Sequence, residues 1–109
     1  MYDYWAKITR VVDGDTFDAD IDLGLRTHST QRLRLRGIDT PEIFGLVPEA
    51  ERLRGLEAAA LVKTLIEGKV VSIKTYKLEI YGRWGADVML PDGRDLATLL
   101  KEAGFDKTP

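Results

Sequence analysis

Two stretches near the N-terminus alternate strictly between apolar and polar side chains, the pattern of a half-buried β-strand. In residues 16–23, one face carries a threonine and three aspartates, and the other carries only Phe17, Ala19, Ile21 and Leu23. In residues 31–36, two leucines lie opposite three arginines. Both stretches are therefore predicted to be strands with one buried face.

Other patterns predict the remaining elements. Further strands are expected over residues 5–12, 70–76 and 85–90. A central helix is indicated by an apolar stripe at helical spacing, formed by Ala58, Leu61, Val62 and Leu65. A short helix over 96–103 follows the last strand, with Asp95 as its N-cap.

The ends of the central helix follow from capping residues. Pro48 suits the first turn and Gly68 suits the C-terminal end. Gly55 is a weak point, and in the alternative interpretation the regular helix begins only there. Three strands, a helix, two strands and a short helix predict a mainly β (α+β) fold. Its form would be a five-stranded OB-type Greek-key barrel with the main helix between strands 3 and 4. A two-layer α+β sandwich fits the periodicity nearly as well.

Composition narrows the class of protein. The chain has 109 residues and no cysteine, so one domain over 1–109 is expected, without disulfides or thiolate metal sites. A single histidine, His28, excludes a multi-histidine zinc site. No apolar run is long enough to cross a membrane. Met1–Val12 lacks the pattern of a signal peptide, so a cytoplasmic location is expected unless a leader was removed.

The net charge of −2 argues against binding nucleic acid through a broad basic surface. The average hides a segregation, because residues 13–22 hold five aspartates and no base, whereas residues 23–38 hold four arginines and no acid. The aspartate run does not match an EF-hand loop, since Gly24 stands where that loop needs glutamate. Most of its acids are expected to form a solvated face. Asp15 has the parity of the buried face and would need an arginine or a cation, unless it only bonds its own turn.

Three further segments carry candidate chemistry. Arg34 is the arginine best placed to bind a phosphate, near the same strand end as Asp39, and Arg83 in the run Tyr81-Gly82-Arg83 is a second candidate. In Asp39-Thr40-Pro41-Glu42, proline stiffens the backbone between two carboxylates. Alone, each segment also fits a solvated face, a bulge or a turn. Together they supply oxygen ligands for a hard cation, guanidinium groups for a phosphate and a spare carboxylate as base, as phosphodiester hydrolysis requires.

These runs, Val12–Thr16, Arg34–Glu42 and Tyr81–Arg83, resemble the staphylococcal nuclease (thermonuclease) family in order and spacing. The resemblance implies an OB-type barrel and a Ca²⁺-dependent nuclease that cleaves the bond between phosphorus and the 5′ oxygen of DNA or RNA and leaves 3′-phosphates. It also implies the roles of single residues. Asp15, Asp39 and the carbonyl of Thr40 would hold Ca²⁺, Glu42 would be the general base, Arg34 and Arg83 would bind the scissile phosphate, and Tyr81 would line the nucleotide pocket.

The chain departs from that family in three respects. It is not basic and shows no leader. Its loop after the Asp39–Glu42 block, residues 43–47, is apolar rather than rich in lysine, which suggests a protein partner or self-association there. It stops soon after Gly104, so the family's C-terminal helix is expected to be missing.

Two other classes of function remain open from the residues. A non-catalytic OB-type module would bind nucleic acid or protein without cleaving it, although the complete set of matched residues argues against that. In a structural domain, the acids and arginines would only form a salt-bridge network.

Overall fold

The computed structural model describes residues 2–77 and 84–107. Its elements are β1 (Tyr2–Asp13), β2 (Thr16–Asp22), β3 (His28–Leu35), α1 (Glu49–Ile66), β4 (Val70–Lys77), β5 (Trp84–Met89) and α2 (Leu96–Glu102). The predicted order of strands and helices is confirmed. No helix in the described ranges is long and apolar enough to cross a membrane.

The strands close into a barrel in the order β1-β2-β3-β5-β4. Neighbouring strands are antiparallel except β3 and β5, which run parallel with Leu33 opposite Trp84. The five-stranded barrel prediction is therefore confirmed, and the two-layer sandwich is wrong because the sheet closes on itself.

The barrel interior contains the residues that alternation placed there. Phe17, Ala19, Leu33 and Leu35 are completely buried, and α1 covers the core with side chains including Val62. Leu23 shares the parity of this face but lies beyond the end of β2 and is 45% exposed. The side chain of Asp95 accepts the N–H of Thr98 at 3.0 Å, so the predicted N-cap of α2 is confirmed.

Two strands begin three residues earlier than predicted. β1 starts at Tyr2 and β3 at His28, because strand pairing continues outward to Tyr2 opposite Thr75 and to His28 opposite Asp22. α1 begins at Glu49, directly after Pro48, as its capping residues predict, and the alternative start at Gly55 is wrong. Pairing with another strand extends each strand into residues whose own pattern is not strand-like.

Gly55 lies inside α1 for a tertiary reason. A Cβ atom at this position would lie 2.7 Å from the carbonyl oxygen of Pro41 and 2.9 Å from that of Glu42. The glycine therefore allows the backbone after Thr40 to rest directly on the helix. The contact sets the position of a segment that carries candidate catalytic residues.

Candidate functional site

The hairpin between β1 and β2 buries the carboxylate of Asp15, whose side chain is 9% exposed. Its Oδ2 atom accepts the backbone N–H of Thr40 at 3.1 Å, and its Oδ1 atom accepts the hydroxyl of Thr16 at 3.2 Å. The hairpin can approach Thr40 this closely because Gly14 has no side chain. A Cβ atom at Gly14 would lie only 2.8 Å from the Oγ1 atom of Thr40. The inward orientation expected from strand parity is present, and the carboxylate has partners other than its own turn.

Arg34, near the end of β3, joins the hairpin to the segment that follows. Its Nη2 atom lies 3.2 Å from Oδ2 of Asp15 and 3.4 Å from Oδ1 of Asp39. Its Nη1 atom donates to the carbonyl oxygens of Leu35 at 3.3 Å and Ile38 at 3.4 Å. One guanidinium group is thus shared by two carboxylates, and its side chain is 35% exposed.

Residues 39–42 lie in an irregular segment between β3 and α1. Thr40 and Pro41 are buried, whereas the side chain of Glu42 is half-exposed. The N–H of Glu42 donates to Oε2 of Glu51 in the first turn of α1 at 3.0 Å. The buried residues and the helix therefore hold the backbone, and the carboxylate of Glu42 stays open to water.

The sequence did not predict that the C-terminal residues would contact this segment. The N–H of Asp39 donates to Oδ1 of Asp106 at 3.2 Å, and the carbonyl of Asp39 accepts the N–H of Lys107 at 2.7 Å. The ammonium of Lys107 lies 3.9 Å from Asp39, 3.9 Å from Glu42 and 3.5 Å from Glu51. These contacts join residues more than 50 positions apart, so no local pattern could have indicated them.

The structure thus brings together five of the seven residues proposed from the sequence: Asp15, Arg34, Asp39, Thr40 and Glu42. The other two, Tyr81 and Arg83, lie outside the described residues, in the range 78–83. Their predicted roles at the phosphate and nucleotide stay predictions.

Two aspartates near the cluster have shifted pKa values. Burial, together with the hydrogen bond and charge of Asp15, raises the pKa of Asp13 to about 6. A hydrogen bond from Arg32 on the neighbouring strand lowers the pKa of Asp18. Asp18 therefore belongs to a cross-strand ion pair on the barrel surface, as the solvated-face interpretation expected, whereas Asp13 shares the partly dehydrated surroundings of the site.

The oxygen atoms of this cluster determine which cation it could hold. No group of three or more acidic, histidine or cysteine side chains converges in residues 2–77 and 84–107 in a way that could hold a metal ion. One nitrogen of Arg34 nevertheless contacts both Asp15 and Asp39, so the two carboxylates lie within reach of one positive charge. Carboxylate and carbonyl oxygens are the ligands that hard cations such as Ca²⁺ prefer. The residues therefore suit such an ion in donor type, and in the described part of the chain they form no group of three acidic ligands for it.

The fold and the site define a class: an OB-type barrel with paired carboxylates and an arginine at one end. A family model described as "Staphylococcal nuclease homologue" matches residues 32–108, and the chain belongs to that family. Two curated relatives, from Escherichia coli O157:H7 and Escherichia coli, bear the name "Uncharacterized endonuclease". Each is 28% identical over 102 residues, which cover 94% of this chain and 59% of the relative. The chain thus spans about three-fifths of their length.

Proposed function

We propose that this protein is a Ca²⁺-dependent nuclease that hydrolyses phosphodiester bonds of DNA or RNA, breaking the bond between phosphorus and the 5′ oxygen. The observation that carries the proposal is the guanidinium of Arg34 held between the carboxylates of Asp15 and Asp39. It combines, at one barrel end, the donors that bind a phosphate with the oxygens that bind a hard cation. Membership of the nuclease family supports this assignment.

In this proposal, Asp15, Asp39 and the carbonyl of Thr40 hold Ca²⁺. When bound, the ion would polarise the phosphate and stabilise its developing negative charge. Arg34 donates to the phosphate oxygens with its two terminal nitrogens, which requires Nη2 to leave the carboxylates that it now contacts. Arg83 is the second proposed phosphate ligand, and Tyr81 lines the nucleotide pocket.

Glu42 is the proposed general base. Its exposed carboxylate is accessible to a water molecule, and its backbone is fixed by the bond to Glu51. It would take a proton from the attacking water, and the 5′ oxygen would leave with the electron pair of the broken P–O bond.

The apolar loop 43–47 exposes Phe44 and Leu46, and its role in binding a protein partner stays a prediction.

The structural alternative has one observation in its favour, because a salt-bridge network also places Arg34 between the two carboxylates. The double variant Asp15→Asn/Asp39→Asn distinguishes the two interpretations. A cation site should lose Ca²⁺ binding, while the free energy of unfolding without metal should change little or rise, because two like charges no longer repel each other. A structural network should lose about 3–5 kcal/mol. Calorimetric Ca²⁺ titration and chemical unfolding in EDTA measure the two quantities.

A further inference from the structure

Glu51 lies in the first turn of α1, at a position where a glutamate usually caps its own helix. The N-cap residue of α1 is Pro48, so Glu51 is the third residue of the helix. A glutamate there normally accepts the backbone N–H of the N-cap residue, and a proline has no N–H to donate. The carboxylate of Glu51 cannot make that bond, and its Oε2 atom accepts the N–H of Glu42 at 3.0 Å instead.

Both backbone polar groups of Glu42 are held against α1. Its N–H donates to Glu51, and its carbonyl oxygen rests on Gly55, where a Cβ atom would lie only 2.9 Å from it. The preceding residue, Pro41, is buried, and its ring restricts the backbone on that side. The place of Glu42 on the surface of α1 therefore depends on two helical residues that lie one turn apart.

Glu51 also reaches the side chain of Glu42, through Lys107. The ammonium of Lys107 lies 3.5 Å from Oε2 of Glu51 and 3.9 Å from Oε1 of Glu42. The side chain of Glu51 is 29% exposed and that of Glu42 is 50% exposed, so Glu51 is the more restricted partner. The backbone of Lys107 is held as well, because its N–H donates to the carbonyl of Asp39 at 2.7 Å. The ammonium thus gives the half-exposed carboxylate of Glu42 a counter-charge in a fixed position.

We propose that Glu51 is a positioning residue for the general base, which holds the backbone of Glu42 directly and its carboxylate through Lys107. This inference rests on the proposed function, in which Glu42 takes a proton from the attacking water. A general base must lie within hydrogen-bond distance of that proton, and a displacement of about 1 Å can cost about 100-fold in rate. Because Glu51 acts only through Glu42, its loss should lower kcat and leave KM nearly unchanged.

Steady-state kinetics on single-stranded DNA at saturating Ca²⁺ separate the two contacts of Glu51. Glu51→Ala removes both contacts and should lower kcat by about 10-fold to 100-fold. Glu51→Gln keeps an oxygen for the N–H of Glu42 and should retain a higher kcat than Glu51→Ala. Glu49→Ala is the matched control, because Glu49 is an exposed acid of the same helical turn, and it should leave kcat unchanged.

A double-mutant cycle distinguishes positioning of the base from support of the fold. If Glu51 acts through the carboxylate of Glu42, Glu51→Ala should lower kcat no further in a protein that already carries Glu42→Gln. A purely structural role would lower kcat by the same factor in both backgrounds. That result, or a full kcat in a folded Glu51→Ala protein, would overturn the inference and leave the proposed function intact.

Amide hydrogen exchange at Glu42 tests the contact without any turnover. Glu51→Ala should speed the exchange of the Glu42 N–H by on the order of 10-fold, and Glu49→Ala should not change it. Equal exchange rates in the unmodified and Glu51→Ala proteins would overturn the inference. Absence of hydrolysis by the unmodified chain would contradict the proposed function, and the exchange rates would still decide whether Glu51 holds this backbone.

Discussion

The Nη2 atom of Arg34 lies 3.2 Å from Oδ2 of Asp15, a carboxylate oxygen that also accepts the backbone N–H of Thr40. A buried carboxylate requires such compensation, because an isolated charge in this position would be very costly. The ion pair thus links the β1–β2 hairpin, the end of β3 and the segment that begins at Asp39. Any phosphate bound by Arg34 would consequently be placed beside the carboxylates.

The guanidinium group of Arg34 should be essential for turnover. Arg34→Lys replaces two parallel donors with one point charge, so we expect kcat to fall by about 100-fold or more. Initial-rate measurements on single-stranded DNA in Ca²⁺ test this. Arg94→Lys is the matched control, because Arg94 pairs with Asp92 in a turn after β5 and contacts none of the site residues described above. Equal rates for the two variants would exclude Arg34 from the reaction.

Lys107 should weaken the binding of a divalent cation. Its ammonium lies 3.9 Å from Oδ2 of Asp39, so it competes electrostatically with any cation held there. Lys107→Met leaves the backbone bonds to Asp39 in place and should tighten Ca²⁺ binding by up to about fivefold, since the pair is partly exposed to solvent. Lys101→Met, on the exposed surface of α2, removes the same charge elsewhere and should have a smaller effect. Weaker Ca²⁺ binding by Lys107→Met in a calorimetric titration would show that the lysine instead organises the site.

Gly55 should tolerate no larger residue. Alanine favours a helix by about 1 kcal/mol over glycine, yet its Cβ would meet the carbonyl oxygen of Pro41 at 2.7 Å. We expect Gly55→Ala to lower the free energy of unfolding by about 1–3 kcal/mol and to reduce kcat by displacing Glu42. The control Ala60→Gly, on the exposed face of α1, should cost about 1 kcal/mol through helix propensity alone and leave kcat unchanged. A more stable Gly55→Ala protein would contradict the close contact.

Asp13 should make the metal-free protein less stable as pH rises. Burial raises the pKa of Asp13 to about 6 from an ordinary value of 3.8, so the folded state binds the proton more tightly than the unfolded state. The resulting stabilisation is full below about pH 4 and is lost as pH rises through 6. Because Asp13 is only half-buried, we expect a contribution on the order of 1 kcal/mol.

Chemical unfolding in EDTA between pH 4 and 7 measures this contribution. The unfolding free energy of the unmodified chain, relative to Asp13→Asn, should decrease over that interval. Asp3→Asn removes an exposed carboxylate of β1 and serves as the control for the loss of one charge. A difference between the unmodified chain and Asp13→Asn that does not vary with pH would contradict the raised pKa.

Local patterns predicted the barrel strands, the inward orientation of Asp15 and the proximity of Arg34 to Asp39. Alternation identified β2 and β3 because the side-chain period of a strand is two, and the same parity placed Asp15 on the buried face. The approach of Arg34 to Asp39 was also foreseeable, since the two lie five residues apart at one strand end.

Tertiary contacts account for what the sequence did not reveal. The sequence also permits a helix that starts at Gly55, because the close contact of this glycine with the backbone of Pro41 produces no periodic pattern. Lys107 and Asp106 reach Asp39 only after the chain has completed the barrel and α2. Likewise, the early starts of β1 and β3 depend on partners in other strands rather than on their own residues.

The most direct measurement is digestion of an end-labelled single-stranded oligonucleotide, followed by analysis of the product ends. The account predicts shorter products that carry 3′-phosphates, formed with Ca²⁺ and abolished by EDTA. Glu42→Gln should form the same products about 100-fold to 10,000-fold more slowly, because the proposed base is removed while the phosphate ligands remain. Its matched control is Glu57→Gln, on the exposed face of α1, which should retain the full rate. An oligonucleotide that stays intact with Ca²⁺ at every protein concentration, or is cut equally well in EDTA, would contradict the account.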